Sequence, residues 1–196
     1  MEILFATHNK NKLVEVKDLL PKGITILSLE DINHLKEVIE DKKTILENAV
    51  KKASEIYKIT GRNCFADDTG LEVEELGGKP GVHSKRFAGR NADSMKNIKK
   101  LLKLMKNKSN RKARFVTVIS LIIDGKIKNF EGICNGHIAK EKKGDKGFGY
   151  DSIFIPTGEK LTFAEMDMHK KNIIAHRAIA VKKLVFFLTK EFNANS

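Results

Sequence analysis

Residues 113–139, ARFVTVISLIIDGKIKNFEGICNGHIA, decide the fold class. Two long runs of apolar and β-branched residues flank Asp124-Gly125, a dipeptide that tolerates the positive φ angles of a two-residue hairpin turn. The pattern predicts a β-hairpin. Upstream the order is different. EILFAT, 2–7, reads as a strand, and HNKNKLVEVKDLL carries Leu13, Val16, Leu19 and Leu20 at helical spacing until Pro21 and Gly23 stop it. ITILSL, 24–29, reads as the second strand of a β-α-β start. A β-α-β start followed by a late hairpin predicts an α/β fold with a mixed twisted central sheet flanked by helices.

The remaining segments fit that frame. Residues 30–43 are polar and irregular, and TILENAVKKASEIYKITG predicts a helix with Ile45, Ala49, Ala53, Ile56 and Ile59 near one face, ended by Gly61. NCFA, 63–66, reads as a short buried strand running straight into Asp67 and Asp68; glycines and Pro80 make 69–90 loop-rich. Ser94 to Met105 is an amphipathic helix. GDKGFGYDSIFIP, 144–156, is a glycine-rich turn feeding a strand that stops at Pro156. IIAHRAIAVKKLVFFLTKEF predicts one final helix, with Ile179, Leu184, Phe187 and Leu188 inward. There is no repeat, low-complexity tract or linker, so 1–196 is expected to be a single domain.

Composition narrows the function classes. At 41% hydrophobic and 32% charged the chain has the balance of a soluble globular protein. No apolar run approaches the roughly 20 residues of a membrane helix, and MEILFATHN lacks the features of a secretory signal, so no membrane partner and a cytoplasmic location are expected. Cys64 and Cys134 have neither zinc-site spacing nor enough company for a disulfide framework, and read as inert buried thiols. The net charge is +12, yet only six of the 37 basic residues are arginines, and runs such as KNIKKLLKLMKNK look like the solvated face of a helix. A nucleic-acid partner is therefore not expected; a positive field would still steer a small polyanion.

Four polar clusters lie at strand mouths or helix starts. Thr7, His8, Asn9, Lys10, Asn11 and Lys12 join the first strand to the first helix, where unpaired N–H groups and short hydrogen bonders suit phosphate oxygens. The run has no GxxxxGK[ST] spacing, and by spacing alone a Thr/Asn cap with solvated lysines fits equally. Asp67-Asp68-Thr69-Gly70 puts two carboxylates at the end of a buried strand. In extended chain they point to opposite faces, so one would meet a hard cation while its neighbour holds a lysine. The competing explanation, an N-cap of the LEVEEL turn, accounts for one carboxylate but not both. Glu40 precedes Glu47, Asn48 and Lys52; alone it reads as a solvated loop residue, and with a metal it is a ligand. Phe148, flanked by Gly147 and Gly149 and followed by Tyr150 and Asp151, offers an aromatic face to a planar ring, with Lys171, His176 and Arg177 further on.

Together, ATHNKNK (6–12), ENA with Lys52 (47–52), ADDTGL (66–71), LGGKPGVHSKRFAG (76–89), GFGYDSIFIP (147–156), FAEM (163–166) and HRAIA (176–180) resemble the inosine triphosphate pyrophosphatase family. The motifs fall in family order from residue 3 to about 188. The resemblance implies two lobes around an active-site cleft, a homodimer, and Mg²⁺-dependent hydrolysis of the α–β phosphoanhydride of ITP, dITP or XTP to the monophosphate and pyrophosphate. By position it implies that Thr7, Asn9 and Lys12 hold phosphates within the Thr7–Lys12 segment, His8 having no chemistry of its own. Asp68 would bind the metal and activate water, Glu40 would be a second ligand, and Asp67 and Lys52 would orient that centre next to Thr69. Phe148, with Gly149 and Tyr150 beside it, would stack on the base; Asp151, Lys171, His176 and Arg177 would surround its 6-oxo face and the sugar. Ala175 stands where the family commonly has serine, and VIEDKK (38–43) fits the acidic-loop pattern loosely, so Asp41 could share or replace the role of Glu40.

The chemistry agrees with the resemblance. Charge at the anhydride must be neutralised before water attacks, and a carboxylate can take that water's proton. Donors aimed at a 6-oxo group disfavour a 6-amino purine. Two alternatives are a Maf-type nucleotide pyrophosphatase acting on pyrimidine or modified nucleotides, against which GFGYD and HR argue, and a nucleic-acid-binding protein, which has no use for Asp67-Asp68.

Overall fold

The computed structural model describes residues 1–90 and 93–194, with side chains to residue 190. A mixed sheet forms in the order β2-β1-β3-β5-β6-β7, with β4 beside β3. Its strands are β1 (Glu2–Phe5), β2 (Thr25–Ser28), β3 (Cys64–Val73), β4 (Pro80–Gly81), β5 (Lys112–Ile123), β6 (Lys126–Ile138) and β7 (Phe154–Pro156). β1 runs parallel to β2 and β3, whereas β4 is antiparallel to β3 and β7 to β6. The helices are α1 (Lys10–Lys17), α2 (Ile45–Thr60), α3 (Ser94–Leu104), α4 (Met168–Ile174) and α5 (His176–Ala194). The expected mixed α/β fold is what the chain adopts. At the hairpin turn Asp124 and Gly125 both take positive φ, 47° and 76°, as a primed two-residue turn requires.

Contacts divide the chain into two compact units. The first comprises 1–68, 117–132 and 176–196; the second comprises 69–116 and 133–175. In the first unit, period-two alternation sorts the strand residues into two cores. Ile3 and Phe5 of β1, Phe65 of β3 and Ile119 and Leu121 of β5 pack with Val16 of α1 and Val181, Leu184 and Leu188 of α5. Leu4, Ala6, Cys64, Ala66 and Ile122 pack instead with Ala53 and Ile56 of α2. So α1 and α5 cover one face of these strands and α2 the other. Helix α2 is closed at its start by a reciprocal Thr44–Glu47 capping box and at its end by Gly61 in the left-handed conformation. In the second unit, Phe115, Phe154 and Phe163 form an aromatic core, with Phe115 and Phe154 edge to face at 4.7 Å.

Several local expectations need correction. β3 does not stop at the acidic pair: it continues through Asp67, Asp68 and Gly70 to Val73, because the turn residues there are paired by β4. The final helix is two helices. Ala175 is extended (φ −69°, ψ 145°) and separates α4 from α5, so Ile173 and Ile174 belong to α4. Ile59 is 61% exposed and does not join Ala53 and Ile56 in the packed cluster. Cys64 and Cys134 are buried as expected, and burial raises their thiol pKa values to about 12 and about 11.

Candidate active site

The alternation that builds the first unit's cores also divides the acidic pair. Asp67 shares the face of Phe65 and looks toward α1 and α5; Asp68 shares the face of Ala66 and looks toward α2. Asp67 Oδ1 accepts from Lys12 Nζ at 2.8 Å, and its Oδ2 accepts from Arg177 Nε at 3.1 Å. On the other face, Lys52 Nζ donates to Glu40 Oε1 at 2.6 Å and stands 3.5 Å from Asp68 Oδ1. Lys52 also donates to the backbone oxygen of Asp67, so it ties the strand as well as the carboxylates.

Glu15, which carried no signal in the sequence, completes the cluster. It is buried on α1, one turn after Lys12, and accepts from Arg177 Nη1. On sequence spacing it is one more polar residue of an amphipathic helix; only the fold brings α5 against it. The predicted base-side residues His176 and Arg177 head α5, and both Arg177 contacts above are with carboxylates of its own unit.

Burial and partners set the charges here. Burial pushes the Asp67 carboxyl up, but Lys12, Arg177 and Lys52 together outweigh it and hold the group below the usual carboxylate range. Asp68 goes the other way. Burial raises its pKa, Lys52 and Lys12 oppose that, and the neighbouring charges of Glu40 and Asp67 add to the rise. Burial lowers Lys12, only partly offset by Asp67. Lys52 is raised: burial opposes its charge, and Asp68, Glu40 and Asp67 more than compensate.

This arrangement fits a divalent cation. Glu40 and Asp68 converge on one positive group, and the cluster's four carboxylates face three cations, leaving a negative charge over. Mg²⁺ characteristically takes one or two protein carboxylates and fills its shell with water and phosphate oxygens. Among the described residues no group of three or more His, Cys, Asp or Glu forms a metal cage, so the candidate is this pair. Asp41 is drawn away to Lys51 at 2.9 Å on the exposed side of α2, which leaves Glu40 as the loop carboxylate at Lys52.

The phosphate-loop residues surround the start of α1. Asn9 caps it, its Oδ1 accepting from Asn11 N at 3.0 Å and Lys12 N at 3.2 Å, and Thr7 Oγ1 accepts from Asn9 N. His8 makes a 3.3 Å contact to Lys36 O, and Lys10 lies near Glu30 on the exposed surface. Thr69, immediately after Asp68, is half-buried.

The second unit holds the aromatic cluster. Asp151 Oδ2 accepts from Phe148 N at 2.9 Å and from Lys171 Nζ at 2.8 Å, so one carboxylate oxygen pins both the aromatic loop and a buried ammonium. Lys171 Nζ lies 5.6 Å from the Phe148 ring centre and 5.5 Å from that of Phe163, the aromatic of FAEM. Gly147 is required: its φ is +71°, and a Cβ there would fall 2.1 Å from Asp151 Oδ2. Gly149 also has positive φ. Tyr150 OH donates to Ser84 O at 2.9 Å, and Ser84 Oγ donates to Gly81 O, which joins the GFGYD turn to the GGKPGVHS loop.

The mixed α/β fold sets a buried carboxylate–cation cluster beside the capped start of α1. The model of the Ham1 family matches residues 3–187, and the chain belongs to that family. It is 50% identical over 190 residues to the dITP/XTP pyrophosphatase of Christiangramia forsetii, covering 97% of this chain and 100% of that protein. The dITP/XTP pyrophosphatase of Bacillus subtilis is 43% identical over 187 residues, 93% of this chain and 94% of that protein. Among solved structures, the Staphylococcus aureus Ham1 protein matches with a TM-score of 0.88 at 37% identity, covering 97% of this chain and 100% of the other. These findings agree with the motif resemblance and give the Maf-type alternative no support.

Proposed function

We propose that this chain is, as one catalytic domain, a Mg²⁺-dependent nucleoside-triphosphate pyrophosphatase acting on ITP, dITP and XTP and releasing the monophosphate and pyrophosphate. Its relatives' activity on dITP and XTP supports the substrate class. The observation that carries the mechanism is the split acidic pair, Asp67 on Lys12 and Arg177, Asp68 with Glu40 at Lys52.

Glu40 and Asp68 would hold Mg²⁺, which when bound supplies charge neutralisation at the anhydride. Asp68 would also orient the attacking water and take its proton. Asp67 stays ionised and fixes Lys12, so that cation faces a polyphosphate without having to be ordered during the reaction, while Arg177 is buried between Asp67 and Glu15. Lys12 and the N–H groups at the start of α1, with Thr7 and Asn9, bind phosphate oxygens. Phe148 stacks on the base, and Lys171, held by Asp151, donates toward a 6-oxo group; a 6-amino purine would bring donor against donor.

The proposal includes the homodimer that the resemblance implies, a cytoplasmic location, and no nucleic-acid or membrane partner. Among the described residues no helix is long and apolar enough to cross a membrane. The test is pyrophosphate release from ITP, dITP, XTP, GTP, ATP and dTTP with Mg²⁺ and with EDTA. Mg²⁺-dependent release from the first three, well above the last three, is the expected result. Release in EDTA, or a preference for dTTP, would overturn it.

A further inference from the structure

Asn48 lies on the inner face of α2, one turn before Lys52, and is 1% exposed. Its Oδ1 accepts from the backbone N–H of Lys42 at 2.9 Å. That contact fixes the amide's orientation, because only the oxygen can face a donor. The Nδ2 group is consequently buried with no hydrogen-bonding partner among the described residues. An orphaned buried amide donor destabilises a fold, and a leucine of similar volume would be free of that cost. The other end of the side chain is what the asparagine contributes.

Lys42 is two residues beyond Glu40, in an otherwise exposed loop. Glu40 is tied to Lys52, and the Lys42 N–H to Asn48, which occupy successive turns of the same helix face. Segment 40–42 is thus fastened at two points to α2, and α2 packs on the face of β3 that carries Asp68. We infer that Asn48 is a positioning residue for the metal centre: by holding the Lys42 N–H it sets the Glu40 carboxylate where it shares one cation with Asp68. This rests on the reading of Glu40 and Asp68 as metal ligands.

The test is Mn²⁺ binding to the whole protein without nucleotide, followed by the paramagnetic resonance signal of free Mn²⁺. Asn48→Leu should weaken Mn²⁺ about tenfold or more, the scale on which outer partners of metal ligands act. Lys42→Pro removes the donor from an exposed position and should weaken it similarly. The double variant should be no worse than the poorer single, since both remove one contact. Asn48→Asp keeps the acceptor and should bind Mn²⁺ within about threefold of the parent. In turnover of ITP, the Mg²⁺ needed for half-maximal rate should rise in Asn48→Leu while the rate at saturating Mg²⁺ changes little, a split that a packing defect would not give. Parent-like Mn²⁺ binding by Asn48→Leu, or equal weakening by Asn48→Asp, overturns the inference. Should Asn48→Leu not fold, Lys42→Pro decides alone, parent-like binding counting against it. If Glu40→Gln binds Mn²⁺ as the parent does, the metal reading itself fails, and this inference with it.

Discussion

Asp67 and Asp68 are neighbours in the chain but not in their partners: Asp67 is held by Lys12 and Arg177, and Asp68 stands with Lys52 and Glu40 across the strand. The strand's period of two is the whole cause. It lets one carboxylate serve as the fixed counter-charge of two cations while burial raises the pKa of the next.

Opposite stability effects follow. Asp67→Asn leaves Lys12 and Arg177 short of a buried counter-charge and should cost about 3–5 kcal/mol. Asp68→Asn removes a carboxyl whose ionisation burial disfavours, and should raise the melting temperature of the metal-free protein at neutral pH. Thermal unfolding of both variants in EDTA measures this; a destabilised Asp68→Asn protein would contradict it.

The pH dependence carries the same signs. The folded-state pKa of Asp67 is lowered, so its contribution is complete above the unfolded value of about 3.9 and is lost as pH falls through the folded value. Asp68 is raised, so its contribution is present below about 3.9 and is lost as pH rises through the folded value. In EDTA the gain from Asp68→Asn should therefore grow from acid to neutral pH, while the deficit of Asp67→Asn shrinks toward the acid end. Melting curves across that range check both slopes.

Glu15→Gln keeps the shape and removes the charge facing Arg177. With Asp67 still in place, the expected cost is about 2 kcal/mol, the range for a hydrogen bond to a charged group. Urea unfolding reads it directly, and a change below a few tenths would show that Asp67 alone suffices for Arg177.

Phe148→Ala should lower kcat/KM for ITP and for ATP alike, about tenfold, given that base–aromatic stacking contributes roughly 1–3 kcal/mol whatever the base. Gly147→Ala should instead reduce the preference for ITP over ATP, because its Cβ would displace Asp151 from Phe148 and Lys171. The kcat/KM values for the two nucleotides, and their ratio, are the measurement.

Much of this was legible in the chain. Asp124-Gly125 announced the hairpin because positive φ is rare and costly elsewhere, and Gly61 marked the end of α2, where the structure has it in the left-handed conformation. The opposed facing of the acidic pair followed from strand geometry alone. The continuation of β3 to Val73 did not, because its support comes from Pro80 and Gly81, a pairing that local propensity does not encode. The break at Ala175 hides in a run of good helix formers. Glu15 acquires its role from Arg177, 162 residues away, a contact that no spacing rule reaches.

On the proposed reading Asp68 does the chemistry while Asp67 holds the frame. Pyrophosphate release from ITP at saturating Mg²⁺ by Asp68→Asn, checked as folded by circular dichroism, tests it most directly. Turnover should fall about a thousandfold, within the range that a positioned acid–base group supplies. A folded Asp68→Asn protein turning over within a few-fold of the parent would contradict the claim.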